Sequence, residues 1–337
     1  MSERATMGGK PVFTVPNKTV INFNSGFAPK LLCDGATFTA GTACPYSCSF
    51  CSVPTTMRKH MPWLRKQGVV GEHHEVVVRR ANAVEIARQQ ILSRPAAFRQ
   101  RQQVIYASPL TDVAANMELV RETVEICKVI LELTNWDIRL LSKSNLLPKV
   151  ALGLAEVDPG NAQSGYPSRV IYGVSTGTLD DKLAATFEEG TAKVSKRLES
   201  LHWLQDNGFR TFGMICPSLP HWEPGVPDAI AYQHWAESVH QAIHADRCEH
   251  VWAEVINLRG DSFTKTVSAL QTAGYGQMAA ELQRVSVDKA EWERYARLTF
   301  EAHAPLYQPG QLRFLQYVTK DTEPYWRPQA ERGAVLL

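Results

Sequence analysis

Short apolar runs alternate with helix-like stripes along most of this chain. Six runs read as strands, at 36–42, 103–107, 137–141, 169–174, 210–215 and 251–256. Most are followed by polar residues and then by apolar positions three and four apart, the spacing of one helix face. Val120, Val124, Cys127 and Leu131 form such a stripe within 116–133, and Val194, Leu198, Leu201 and Leu204 form another within 191–205. A third helix is expected near 227–243. Strands separated by helices pair in parallel through crossovers. The expected class is therefore α/β, a partial (β/α)6 barrel with N-terminal and C-terminal extensions. An open doubly wound sheet has the same periodicity and is the alternative. Barrels of this kind keep their chemistry at the C-terminal ends of the strands. Here those ends carry cysteines, polar residues or Gly/Pro turns.

The expected divisions are an extension over 1–30, the barrel over 31–260, and a helical segment with a closing strand over 261–337. A run at 312–319 would add to the sheet edge or cover the barrel mouth. Residues 52–78 form the least regular long stretch, a basic loop holding Arg58, Lys59, His60, Arg65, Lys66, His73 and His74 around Trp63. A loop of that length is more often functional than filler.

Composition adds limits. The chain has 337 residues, 44% hydrophobic and 21% charged, and a formal net charge of +2. Such a chain buries a substantial core, and its overall charge does not announce a nucleic-acid partner. The first ten residues hold no apolar run of a signal peptide. No stretch approaches the roughly 20 apolar residues of a membrane span. The expectation is a cytoplasmic protein without a membrane partner.

Cys44, Cys48 and Cys51 carry the chemistry. Their spacing is Cys-x3-Cys-x2-Cys, with Phe50 just before the last. Three thiolates this close can hold three irons of a cubane 4Fe-4S cluster and leave the fourth iron open. A structural zinc site would want a fourth ligand, for which His60, His73 and His74 lie downstream. A disulfide framework fits poorly, since the seven cysteines are an odd number in a long chain. Cys33 is a conceivable fourth cluster ligand, though it reads better as a buried thiol.

The triplet resembles the signature of the radical S-adenosylmethionine superfamily. Further runs resemble the branch containing spore photoproduct lyase: TyrAlaSerProLeuThrAsp at 106–112, LeuLeuSerLysSerAsnLeuLeu at 140–147, SerThrGlyThrLeuAsp at 175–180, PheGluGluGlyThrAla at 187–192 with Arg197, and GluValIleAsnLeuArgGly at 254–260. The similarity is loose and runs from about residue 30 to 260. Where relatives commonly carry an AspProTyr-type run, this chain has ThrAspValAlaAlaAsn at 111–116. The resemblance implies a radical SAM fold and a 4Fe-4S cluster that cleaves S-adenosyl-L-methionine to a 5′-deoxyadenosyl radical. It also implies an electron donor such as flavodoxin or ferredoxin, and it maps Lys143, Ser108 and Ser175 to positions that contact S-adenosylmethionine.

On the residues themselves, Lys143 at a strand end suits a carboxylate as a point charge, and Ser108, Ser142 and Ser175 offer hydroxyls at successive strand ends. Phe50 and Val53 suit adenine. Glu189 and Arg197 would pair with each other or meet the ligand, with Thr191 capping the helix. Glu254, Asn257 and Arg259 face the same mouth. Cys216, past the fifth strand, is a candidate hydrogen-atom donor or else a buried thiol; Cys127 belongs to the core. Two basic–aromatic clusters, Arg58-Lys59-Trp63-Arg65-Lys66 and Arg94-Phe98-Arg99-Arg101, suit a nucleic-acid substrate. A small metabolite or peptide is the other substrate class. A non-catalytic electron carrier or redox sensor, its fourth iron capped by protein, is the reading from another functional class.

Overall fold

A computed structural model describes residues 6–107, 109–159, 168–258 and 261–337. Its main sheet contains all six expected strands and two more: β1 (Ala36–Phe38), β2 (Val104–Ala107), β3 (Asp137–Ser142), β4 (Val170–Ser175), β5 (Arg210–Ser218), β6 (Val251–Val255), β7 (Leu312–Gln316) and β8 (Ala334–Leu336). They lie side by side in chain order, every neighbouring pair parallel, with Ile21–Asn22 added antiparallel beyond β1. A doubly wound sheet needs a point where strand order reverses, and this order has none. The run at 312–319 is β7, on the sheet edge side, and β8 beyond it escaped the sequence reading.

Strand periodicity sorts the side chains into two layers. Ile105, Ala107, Ile138, Leu140, Val170, Tyr172, Val174, Ile215, Val251 and Ala253 join the large core that includes helices Met117–Leu133 and Val194–Asp206. The alternate residues Tyr106, Leu141, Ile171, Phe212, Met214, Cys216, Trp252 and Leu315 form a second cluster on the other face. Gly173 serves that inner layer, because a Cβ there would stand 2.3 Å from the Phe212 ring.

Residues 25–35 fill part of the inner face. Arg139 donates to Leu32 O at 2.6 Å, and Trp252 Nε1 donates to Lys30 O at 2.9 Å. Cys33, at 4% exposure, is buried there, and Cys127 is buried in the large core.

Helix Met117–Leu133 starts where the sequence places it. Asn116 caps Met117–Leu133 by accepting from the Glu118 and Leu119 amides. Helix Val194–Asp206 differs: its N-cap is Lys193, without a side-chain cap bond. Thr191 does not cap it; its hydroxyl donates to Glu188 O at 2.7 Å.

Residues 52–78 are not an irregular loop. Helices Val53–Met57 and Met61–Lys66 lead into strand Val77–Arg80, which pairs with Lys10–Val15 and Gly41–Ala43. The run expected over 36–42 therefore splits, β1 staying in the main sheet and Gly41–Ala43 leaving for this smaller one. The resulting lobe has its own apolar cluster of Val15, Ala43, Met57, Met61, Leu64, Val69, Val76 and Val78. No described helix is long and apolar enough to cross a membrane.

Candidate functional site

Inner-face periodicity carries β3 through Arg139 and Leu141 to Lys143, β4 to Ser175, β5 to Cys216 and β6 to Glu254. These polar groups thus stand at the C-terminal ends of neighbouring strands. Beside them is a cavity of about 370 Å³ lined by Cys44, Cys48, Cys51, Phe50, Val53, Ser142, Lys143, Ser175 and Glu189.

The cysteine loop is clamped from two sides. Ser47–Cys48 pairs antiparallel with Glu188–Glu189, and Ser49 N donates to Phe187 O at 2.9 Å. From helix Asp261–Thr272, Ser262 donates to Cys51 O at 2.9 Å and Thr266 shares a 2.9 Å bond with Ser49. All three thiols are unpaired and half-buried. Burial pushes the Cys44 thiol up to about 12, with the nearby Asp112 carboxylate adding to the rise, and burial raises Cys48 and Cys51 as well. Bound metal overrides such a shift, because a coordinating thiol is deprotonated outright.

Lys143 is tied in place rather than loose. Its ammonium lies 2.6 Å from Glu188 Oε1, 2.9 Å from Ser175 Oγ and 3.4 Å from Cys216 O, and 5.2 Å from the centre of the Phe50 ring. Glu188 is fully buried and lies 2.5 Å from Arg197 Nη2. Arg197 spends its other donors on Ala192 O, Ser175 O and Thr191 Oγ1. The expected Glu189–Arg197 pair is thus replaced by Glu188–Arg197. Strand alternation is the reason: pairing with Ser47–Cys48 buries Glu188 and leaves Glu189 exposed on the cavity rim.

Asp112 is a site residue that the sequence reading did not single out. Its carboxylate accepts from Ser142 Oγ at 2.7 Å, the Lys143 amide at 2.7 Å and the Ala114 amide at 2.8 Å. Burial pushes its carboxyl up against those three bonds. Ser142 also accepts from the Ser144 amide, so its hydroxyl holds the strand ends together. Lys10, from the lobe, was missed too; it donates to Tyr46 O at 3.0 Å, and its ammonium is close enough to Cys44, Glu189 and Cys48 to feel their charge.

Other expectations fall elsewhere. Asn257 lines a separate cavity of about 170 Å³ with Glu254, Trp292 and Tyr317, not the cysteine cavity. It follows the end of β6, where strand alternation no longer fixes direction. Cys216 is also off the cysteine cavity; its sulfur lies 3.9 Å from Glu254 Oε2, and burial and then Glu254 push its thiol up to about 12. Lys30 lies 3.8 Å from Glu254 Oε1. Ser108 and Arg259 lie outside the described residues. Phe98, partly buried, packs edge-on against Phe23 and Trp136 before β2, at the strands' N-terminal end.

Among the described residues no three His, Cys, Asp or Glu side chains converge on a single metal ion. A cubane asks something different, since each thiolate holds its own iron. Three unpaired thiols on one cavity fit that donor set.

No family model and no curated protein matches the chain. Solved structures of spore photoproduct lyase do. The lyase with bound S-adenosylmethionine and dinucleoside spore photoproduct, a double mutant, matches at TM-score 0.51 and 13% identity, over 77% of this chain and 66% of that one. The lyase complexed with dinucleoside spore photoproduct matches at 0.52 and 12%, and a cysteine-to-serine mutant at 0.53 and 12%, over the same shares. This chain therefore spans just under two thirds of the lyase. At such identity the likeness speaks for the fold, and the protein shares the fold of spore photoproduct lyase, a radical S-adenosylmethionine enzyme.

Proposed function

We propose that this protein is a radical S-adenosylmethionine enzyme, with its sheet curled into a partial barrel and the cysteine loop at the mouth. The observation that carries the reading is the meeting of three free thiols with Lys143 on one cavity at the C-terminal strand ends. Cys44, Cys48 and Cys51 would hold the cluster. When bound, a 4Fe-4S cluster supplies the electron that splits S-adenosylmethionine into methionine and a 5′-deoxyadenosyl radical, which takes a hydrogen atom from the substrate.

The chain's own part is placement. Lys143, steadied by Glu188 and Ser175, presents its ammonium to the methionine carboxylate. Phe50, Val53 and Leu141 offer apolar surface to adenine, and Glu189 on the rim meets the ribose hydroxyls. Ser142 and Arg197 act through others, by fixing Asp112 and Glu188. Cys216, on the inner face, is the hydrogen-atom donor in this proposal, and Asn257 lines the neighbouring cavity.

The neighbour's dinucleoside ligand favours a nucleic-acid substrate, as do the basic residues on the lobe; a small metabolite or peptide is the competing class. A flavodoxin or ferredoxin in the cytoplasm supplies the electron. Protein reconstituted and reduced without air should release 5′-deoxyadenosine from S-adenosylmethionine, and Cys48→Ala should lose iron, sulfide and product together. Zinc without sulfide overturns the proposal, and an intact cluster that leaves S-adenosylmethionine uncleaved reduces the protein to an electron carrier.

A further inference from the structure

His73 stands out among the residues of the cysteine cavity. It comes from the lobe, is only 8% exposed, and has no hydrogen-bond partner at either ring nitrogen. A buried polar group left unpaired calls for an explanation. The turn that carries it is well defined: Gly71 has a φ of +119°, and the Glu72 amide donates to Glu75 Oε2 at 2.9 Å. A Cβ at Gly71 would stand 2.7 Å from Val76 Cγ1, so the turn needs glycine and the imidazole's place is fixed by the backbone.

The charges around His73 indicate what meets it. Lys265, from helix Asp261–Thr272, lines the same cavity and makes no ion pair among the described residues. Arg58 lines it too but lies 3.3 Å from Asp261, which neutralises that carboxylate. Glu189, the other rim carboxylate, lies close to Lys10. Burial, then the charge of Lys10, drives the His73 imidazole down to about 4, so the ring is neutral at ordinary pH and sits in a positive field. A neutral imidazole offers one N–H donor and one acceptor, and Lys265 supplies full charge.

We propose that His73 and Lys265 form a subsite for an oxyanion, the phosphate or carboxylate of the second substrate, on the cavity wall contributed from outside the sheet. The subsite rests on the reading of this cavity as the place where S-adenosylmethionine and a second substrate meet. Lys143, just past β3, is the cation assigned to S-adenosylmethionine; His73 and Lys265 come from other elements and receive the other molecule. The lobe is then a specificity element, and substrates without an oxyanion at the matching position are poorly held.

The test uses the full chain, reconstituted without air, with inorganic phosphate as the probe. Calorimetric titration is run at constant ionic strength, with and without saturating S-adenosylmethionine. Saturable phosphate binding is expected in both. His73→Phe, which fills the same space without a donor, should weaken it about tenfold, the scale of a charge-assisted hydrogen bond. His73→Gln, which returns an N–H, should recover most of that loss, and Lys265→Gln should weaken binding to a similar degree. Lys265 is exposed, so its variant reads the proposal even where a change at position 73 disturbs folding. Absence of saturable binding, or variants that bind phosphate as the wild type does, overturns the subsite. Displacement of phosphate by S-adenosylmethionine also overturns it, because the oxyanion received is then the methionine carboxylate. Formation of 5′-deoxyadenosine by the wild-type protein reads the enzyme proposal separately, so either can fail alone.

Discussion

The two walls of the cysteine cavity are built by different physics. On the sheet side, Glu188 is fully buried against Lys143 and Arg197, and Asp112 holds the ends of β2 and β3 with three hydrogen bonds. On the lobe side, eight buried apolar residues form the core, and the ion pairs Arg58–Asp261 and Arg65–Glu72 are more than half exposed. Buried charges tolerate little displacement, since moving one partner strands the other in a low-dielectric interior. A small apolar cluster opens at modest cost. The wall bearing Lys143 is therefore the rigid one, and the wall bearing His73 is the adjustable one.

The largest effect should come from the buried pair. Glu188→Ala leaves Arg197 and Lys143 without their carboxylate, and we expect it to cost about 3–5 kcal/mol in denaturant unfolding. Hydrogen exchange should quicken across β3, β4 and β5. A loss below about 1 kcal/mol would mean that Glu188 is dispensable and the contrast between the walls is wrong. In the lobe, Leu64→Ala removes a side chain that is 1% exposed and should cost about 2–4 kcal/mol of local stability. Its signature is faster exchange in Met61–Lys66 and Val77–Arg80 with unchanged exchange in β3–β5. Equal exchange changes in both regions would make lobe and sheet one cooperative unit.

Acid separates the walls by a smaller amount. His73 in the lobe is driven down to about 4 and His303 in the main core to about 3, each mainly by burial. In the unfolded chain both take up a proton near pH 6.5. Each contributes stability that is present above that pH and is lost as the pH falls toward the folded value. The slope is at most about 1.4 kcal/mol per pH unit for each histidine. His73→Gln should remove its share of that loss between pH 6.5 and 4, read as local exchange in the lobe, and His303 should go on lowering global stability down to about pH 3. An unchanged acid profile of the lobe in His73→Gln would mean that His73 is solvated.

Much of the sheet side was legible in the sequence because its logic is local. Arg139, Leu141 and Lys143 share one parity on β3, so the lysine at the strand end faces inward as the run implies. The same parity leads to Ser175 on β4 and Cys216 on β5. What stayed hidden depends on pairing between distant segments. Whether Glu188 or Glu189 turns inward is decided by an antiparallel partner about 140 residues earlier, and nothing in GluGlu distinguishes them. The lobe escaped for the same reason: Lys10–Val15 pairs with Val77–Arg80, and neither run is long enough to declare itself alone. Asp112 had a local signal, a carboxylate just past a strand end. Its role appears only once β3 brings Ser142 and the Lys143 amide beside it.

The smallest effect tests whether the lobe is held shut by charge. Arg58 and Asp261 join the lobe to helix Asp261–Thr272, with side chains 70% and 72% exposed. An ion pair that open is worth at most about 1 kcal/mol and is screened by salt. Asp261 has a second role, since a carboxylate in the first turn of a helix is favourable by about 0.3–1 kcal/mol. Arg58→Gln removes only the pair, whereas Asp261→Asn removes the pair and the helix-end charge. The expected order of destabilisation is therefore Asp261→Asn above Arg58→Gln, with both losses shrinking in 1 M salt. If Arg58→Gln instead speeds exchange in Val77–Arg80 as strongly as Leu64→Ala, the lobe is closed by this pair rather than by its apolar cluster, and the adjustable wall is governed by ionic strength.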